Sequence, residues 1–290
     1  MMRSGDLQHS GMDVSFHSAP ASLLSAASAY LRRERFSASV LAVVARRVAD
    51  GEAIGEPGAL WVTVEEGGEV VGAAMQTPPW NLFVARMGRA ATVALADAVA
   101  DTGRALPGVS GELTTVEAFA SSWRERTGQG SGVRVRQRMY VLEQLVPPAG
   151  VAGEATRGTA ADLDVVARWA AAFHDEAQPE APGQDWQDWA RLRIEDGQLH
   201  LWRVGGTAVA MAAVTPPAAG VARVGPVYTP PAHRRRGHGS GVTAAATAAA
   251  IADGAEDVVL YTDLGNPTSN AIYQSIGYRP DHDAEERVFV

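Results

Sequence analysis

Three arginines and two glycines stand together in Arg234-Arg235-Arg236-Gly237-His238-Gly239-Ser240, an R-x-x-G-x-G string. It lies between a predicted strand, Ala222 to Tyr228, and a predicted helix, Ser240 to Asp253. Glycines let a backbone approach a ligand closely. The helix that follows leaves its first N–H groups unpaired, and its positive end favours an anion. Arginines beside such donors suit a polyanion such as a pyrophosphate. Alone, the string reads equally well as an exposed basic turn. About thirty residues on, Asn266-Pro-Thr-Ser-Asn270-Ala-Ile-Tyr273-Gln-Ser-Ile-Gly277-Tyr278 follows a strand, Val258 to Thr262, and opens a helix, Ser269 to Ile276. It adds an amide and a phenol to the same C-terminal stretch.

Elements that could position these groups recur along the chain. Gly58 to Pro79 and Gly197 to Pro217 each read as strand, Gly-Gly turn, strand, Thr-Pro-Pro. Alternating and β-branched residues around Gly-Gly are a hairpin signal, and proline ends a ladder. The shared order predicts an internal duplication, with a Pro/Gly linker in Val146-PPAGVAGE-Glu154. In the second half, Ala155 to Gly158 reads as a strand. Thr159-Ala-Ala-Asp162 resembles a capping box with Asp in place of Glu. Leu163, Val166, Ala167, Ala170 and Phe173 make an apolar helical stripe. Gln178 to Gly183 breaks that helix, Asp185 to Glu195 forms another, and Arg287 to Val290 closes as a strand. The fold class is α/β, an α+β mixed sheet flanked by helices. The domains are expected at 13–146 and 154–290, joined by linker 147–153, after a flexible extension over 1–12 in which Met12 is the alternative start.

Composition excludes other classes. There are 290 residues, 46% of them hydrophobic, enough to bury a sizeable core. With 25 basic and 33 acidic residues the formal charge is −8, so the arginine cluster is local and no nucleic-acid partner is expected. No cysteine occurs, which removes disulfides and thiolate chemistry. His233 and His238 flank the loop without a ligand cluster, so no metal is expected. No apolar run of membrane-spanning length and no signal-peptide pattern appears, which makes no membrane partner and a cytoplasmic location the expectation.

The strand-loop-helix Val224 to Gly241 and the segment Thr262 to Tyr278 resemble, in order and spacing, the GNAT superfamily of acyl-CoA-dependent N-acetyltransferases. The resemblance covers 154–290. It implies that Arg234, Arg235, Arg236, Gly237, His238, Gly239 and Ser240 hold the pyrophosphate of acetyl-CoA, and that Val227, Tyr228 and Thr229 pair with its pantetheine arm. A neighbouring parallel strand splays away there and leaves a slot for the thioester. It further implies that Asn266 contacts coenzyme A and that Tyr273 protonates the departing thiolate. A strand N–H near Val227 or Tyr228 suits the oxyanion. The base is open: His174 and Glu176, with Asp175, read as a solvated helix end or as the base, and Asp263 as the base or as the organiser of the Asn266 loop. Trp186 and Trp189 read as core packing or as acceptor-pocket walls.

The first half, with Asn81 to Ala100 and Val116 to Gly128 at the corresponding places, lacks R-x-x-G-x-G. It carries one glycine in Met87-Gly-Arg-Ala-Ala91, and Trp123 near the tyrosine's place. The resemblance thus implies two GNAT-like domains in tandem with a degenerate first half that does not bind coenzyme A. The implied partners are acetyl-CoA and a small-molecule amine acceptor, with direct attack, no metal, and a monomer or homodimer. A peptide or protein N-acetyltransferase, or a non-catalytic coenzyme A sensor or scaffold, are the alternatives. A P-loop NTPase is disfavoured because no G-x-x-x-x-G-K-[ST] occurs.

Overall fold

The computed structural model describes residues 11–52, 54, 58–177, 179 and 183–290. Most of the expected extension 1–12 and the expected helix break at 178–183 lies outside the described residues. The chain forms two compact units, one of residues 1–135 with 285–290 and one of 136–284. The Pro/Gly stretch 146–153 falls within the second unit.

The first unit begins with β1 (Met12–His17), α1 (Pro20–Ala26), α2 (Ser28–Arg33) and α3 (Ser39–Ala49). The hairpin β2 (Leu60–Glu66) and β3 (Glu69–Gln76) follows, then β4 (Leu82–Val84), α4 (Arg89–Asp101), β5 (Gly108–Glu112) and α5 (Leu113–Thr127). Its strands run in the order β1, β2, β3, β4, β5, antiparallel except for β4 and β5. Its core holds Val62, Val64, Leu82, Val84, Met87, Leu95, Phe119 and Trp123. The chain's end returns to this unit: Phe289 packs on that core, stacked on Trp123, and its N–H donates to Pro107 O at 2.9 Å.

β6 (Ser131–Leu142) leads into the second unit. There follow β7 (Glu154–Arg157), α6 (Leu163–Ala177), α7 (Trp186–Glu195), β8 (Leu199–Val204), β9 (Thr207–Val214), β10 (Val221–Tyr228), α8 (His238–Ala252), β11 (Asp257–Asp263), α9 (Pro267–Ser275) and β12 (Tyr278–Phe289). The strand order is β12, β6, β11, β10, β9, β8, β7, with β10 and β11 parallel. One face packs under α8 and α9 through Ala210, Ala212, Val224, Val242, Val258, Leu260, Tyr273 and Tyr278. The other carries α6 and α7 over Leu199, Leu201, Met211 and Tyr228.

The local signals hold where they are short-range. Both hairpins turn on Gly-Gly with nearly equal angles, φ 59° and 83° at Gly67 and Gly68, 57° and 81° at Gly205 and Gly206. Positive φ at both central residues is what a two-residue turn with the right twist requires. The Thr159–Asp162 capping box is present in both directions. The closing strand is longer than expected: β12 starts at Tyr278, with its charged residues taken up by pairs such as Arg138 Nε to Asp283 Oδ1 at 2.6 Å. β6, whose Val-Arg-Val-Arg alternation is a legible strand pattern, was not anticipated.

Candidate functional site

The site is built where β10 stops pairing with β11. The two strands pair in register only through Val221, Ala222 and Arg223, while β10 continues to Tyr228 and β11 to Asp263. On its other side β10 carries a bulge against β9 between Val224 and Val227. The two residues in it are Gly225 and Pro226, and proline has no N–H to give a ladder. Beyond the bulge Val227 packs towards the α8 and α9 face and Tyr228 towards the α6 and α7 face. The expected parting of the parallel strands is thus present, with Val227, Tyr228 and Thr229 on its edge.

The loop after Thr229 has two residues in the left-handed region, Arg235 at φ 61° and Gly237 at φ 80°. A Cβ on Gly237 would also stand 2.8 Å from a methyl of Val151. Gly237 is the N-cap of α8, and the first helical backbone bond at this end runs from Gly241 N–H to Gly237 O, at 2.9 Å. Among the described residues, the N–H groups of Arg235 to Ser240 donate to no carbonyl or side chain. Such a run of free donors at the positive end of a fifteen-residue helix is an arrangement that favours an anion. Ser240 Oγ donates to Gly237 O at 2.7 Å and so braces the turn.

The three arginines divide. Arg234, though exposed, is tied back to the unit: its Nη2 donates to Glu176 Oε2 at 2.6 Å and its Nε to Thr229 O at 2.8 Å. Arg235 and Arg236 are exposed and, among the described residues, make no ion pair or hydrogen bond. They are the two free to meet an anion. His238 turns its ring inward: the residue is 4% exposed, its Nδ1 has no partner, and burial lowers its pKa.

Glu176, from α6, also accepts the Tyr228 hydroxyl at 2.9 Å. Burial alone would raise its pKa, but the donors from Arg234 and Tyr228 outweigh that and hold it below the ordinary carboxylate value. A carboxylate held so firmly in its charged form is a weak base. Tyr228 is itself pushed up, by burial first and by the Glu176 carboxylate second. His174 is buried on α6 with its ring 5.2 Å from that of Trp186. Trp186 and Trp189 border the α6 and α7 core, with Trp189 under the Arg193 guanidinium. Asp263 is exposed and organises the next turn: its Oδ1 accepts Gly265 N–H at 2.7 Å and its backbone oxygen accepts Asn266 N–H at 3.0 Å.

Asn266 is the N-cap of α9, its Oδ1 accepting Ser269 N–H at 3.0 Å. Asn270 completes the turn by donating to the backbone oxygens of Asp263 and Asn266 and accepting the Tyr140 hydroxyl at 3.0 Å. Tyr273 lies on the α8 and α9 face with its ring edge-on to Tyr278, 6.3 Å between centroids. Burial pushes its phenol up to about 12.

Comparison with known proteins agrees with this geometry. The profile of the acetyltransferase (GNAT) family matches residues 163–278. A GNAT-family acetyltransferase from Colwellia psychrerythraea is similar along 96% of this chain and 98% of its own, at TM-score 0.58 and 13% identity. A GCN5-related N-acetyltransferase from Sphaerobacter thermophilus aligns over 96% and 95%, at TM-score 0.59 and 16% identity. A tandem GNAT protein from the clavulanic acid biosynthesis pathway aligns over 96% and 98%, at TM-score 0.55 and 12% identity. No curated protein sequence matches the chain. Among the described residues, no helix is long and apolar enough to cross a membrane, and no group of three His, Cys, Asp or Glu is placed to hold a metal ion. The loop before α8 and the parted strands β10 and β11 fall within the residues that the profile matches, so residues 163–278 form a GNAT acetyltransferase domain.

Proposed function

We propose that the second unit transfers an acetyl group from acetyl-CoA to the amine of a small molecule by direct attack, and that the first unit binds no coenzyme A. The observation that carries this reading is the run of free N–H donors from Arg235 to Ser240 beside the opening between β10 and β11. The cradle fits a pyrophosphate in charge and donor count, with Arg235 and Arg236 completing it. The strand edge at Val227 to Thr229 offers backbone groups to an extended amide arm and an N–H for the oxyanion. Arg234, tied to Glu176 and Thr229, positions the loop rather than the ligand.

Tyr273 supplies the acid. At about 12 its phenol keeps its proton across the physiological range and is a donor for sulfur. In the same apolar surroundings a thiolate is destabilised too, so the two groups are better matched than their values in water. Asn266 and Asp263 hold the turn that opens α9 and so set where Tyr273 stands.

The test is a melting curve with acetyl-CoA, then a screen of amino acids, polyamines and arylalkylamines with detection of the freed thiol. A raised Tm and acetylation of a small amine are expected. No shift at millimolar acetyl-CoA would remove the cofactor assignment. A shift without turnover of any amine would favour a sensor, and turnover of peptides alone would favour a peptide acetyltransferase.

A further inference from the structure

The second unit contains a buried His–Asp dyad that the site described so far does not use. His282 Nδ1 lies 2.6 Å from Asp281 Oδ2, and the His282 side chain is 5% exposed. Its Nε2 is buried and has no partner among the described residues. A carboxylate at Nδ1 selects the tautomer with its proton there and leaves Nε2 as a lone pair, which is the arrangement of a general base. A buried lone pair without a hydrogen bond is costly, so retaining one calls for a reason.

Position supplies the reason. On β11, Val258 and Leu260 point into the α8 and α9 face, so Tyr261 between them points to the opposite one. The His282 ring meets Tyr261 edge-on at 6.3 Å between centroids and therefore lies on that opposite face too. This is the face that carries Tyr228 and α6. Tyr261 also lies on the part of β11 that β10 no longer pairs with, since their register ends at Val259. Tyr273, the proposed acid, lies on the other face. The opening between β10 and β11 lies in the strands that carry both faces. An acid on one side and a base on the other is what a thioester threaded between them needs. Tyr261 from β11 meets the His282 ring, and the next residue in the strand, Asp283, has its carboxylate taken by Arg138 from β6.

We propose that His282 is the general base for the acceptor amine and that Asp281 is its positioning residue; this rests on the acetyltransferase reading above. The nitrogen–carbon bond forms at the thioester carbonyl as the nitrogen loses one proton to Nε2. The carbon–sulfur pair leaves with sulfur, which gains one proton from the Tyr273 side. The imidazolium returns its proton to solvent and the Tyr273 phenolate takes one back from solvent, so the balance closes without another reactant.

The experiment compares wild type, His282→Gln and Asp281→Asn with the best small amine from the screen. Tm and acetyl-CoA affinity come first, then kcat/KM against pH. Expected are acetyl-CoA affinities within about twofold of wild type and a loss in kcat/KM of about 100-fold or more for His282→Gln, the scale of a general base. The rising step of the wild-type pH profile should vanish in His282→Gln and move in Asp281→Asn, which a packing defect would not do. Turnover within about threefold of wild type with an unchanged pH profile overturns the assignment. If His282→Gln does not fold, Asp281→Asn decides by its pH profile: a displaced step supports the dyad and an unmoved one overturns it. A wild type that neither binds acetyl-CoA nor acetylates an amine overturns the proposed function itself, a result separate from these.

Discussion

The two units set the same order of elements around different loops. In the second unit nine residues, 229–237, join β10 to α8, while in the first unit four, 85–88, join β4 to α4. The short loop spends its donors internally: Ala85 N–H goes to Ala73 O, Arg86 N–H to Ser37 Oγ and Met87 N–H to Thr115 Oγ1. Met87 fills the core, its sulfur so near Gly72 that a Cβ there would stand 2.7 Å away. β4 pairs with β5 along its whole length, where β10 leaves β11 after three residues. One loop closes on its own unit; the other keeps its N–H groups facing outward. The same order of elements thus leaves the donors of one loop free and spends those of the other on packing.

Substitutions that move the second unit towards the first should show this, beginning with the largest effect. Gly237→Asp places a side chain at positive φ, against Val151, and adds negative charge inside the cradle. It should abolish the acetyl-CoA-induced rise in Tm while leaving the circular dichroism spectrum intact. Retained binding would mean that the cradle lies elsewhere.

That loop was legible in the sequence because glycine, arginine and helix start are neighbours along the chain. The hairpins, the Thr159–Asp162 cap and the Asn266 cap were legible for the same reason. The Glu176–Arg234–Tyr228 cluster was not, because it joins residues 52 and 58 positions apart through tertiary contact. Glu176 and Arg234 were each named, but for a base and a ligand contact, and the structure pairs them with one another. The His282–Asp281 dyad is adjacent in sequence, yet nothing in Asp-His-Asp reveals which face of a strand it occupies or that Tyr261 packs beside it. The free state of the loop's donors is likewise a property of the fold.

Tyr273→Phe comes second. Counted from the helix N-caps Glu112 and Asn266, Phe119 of the first unit, and not Trp123 as the sequence suggested, stands where Tyr273 stands, so the change copies the first unit's residue. It should lower kcat by about 10- to 100-fold with acetyl-CoA affinity nearly unchanged, as read from steady-state kinetics and calorimetry. Full activity would reduce Tyr273 to a packing residue. The double change Arg235→Ala and Arg236→Ala comes third. It should weaken acetyl-CoA binding about tenfold, the scale of one charge-assisted hydrogen bond, and flatten its salt dependence. An unchanged Kd would leave the backbone donors as the whole cradle.

Glu176→Gln is the smallest. The Glu176 pKa is lowered in the folded protein, so the carboxylate's hold on Arg234 is present above the ordinary carboxylate range. It is lost as pH falls through the lowered value. Near neutral pH the variant should bind acetyl-CoA about two- to fivefold more weakly, the scale of an exposed ion pair. The two proteins should converge in acid. A difference independent of pH would assign the effect to packing.

The stoichiometry of acetyl-CoA binding by titration calorimetry tests the contrast between the two loops most directly. The account predicts one molecule of acetyl-CoA per chain, bound by the second unit and lost in Gly237→Asp. Two molecules per chain, or one that survives Gly237→Asp, would contradict it.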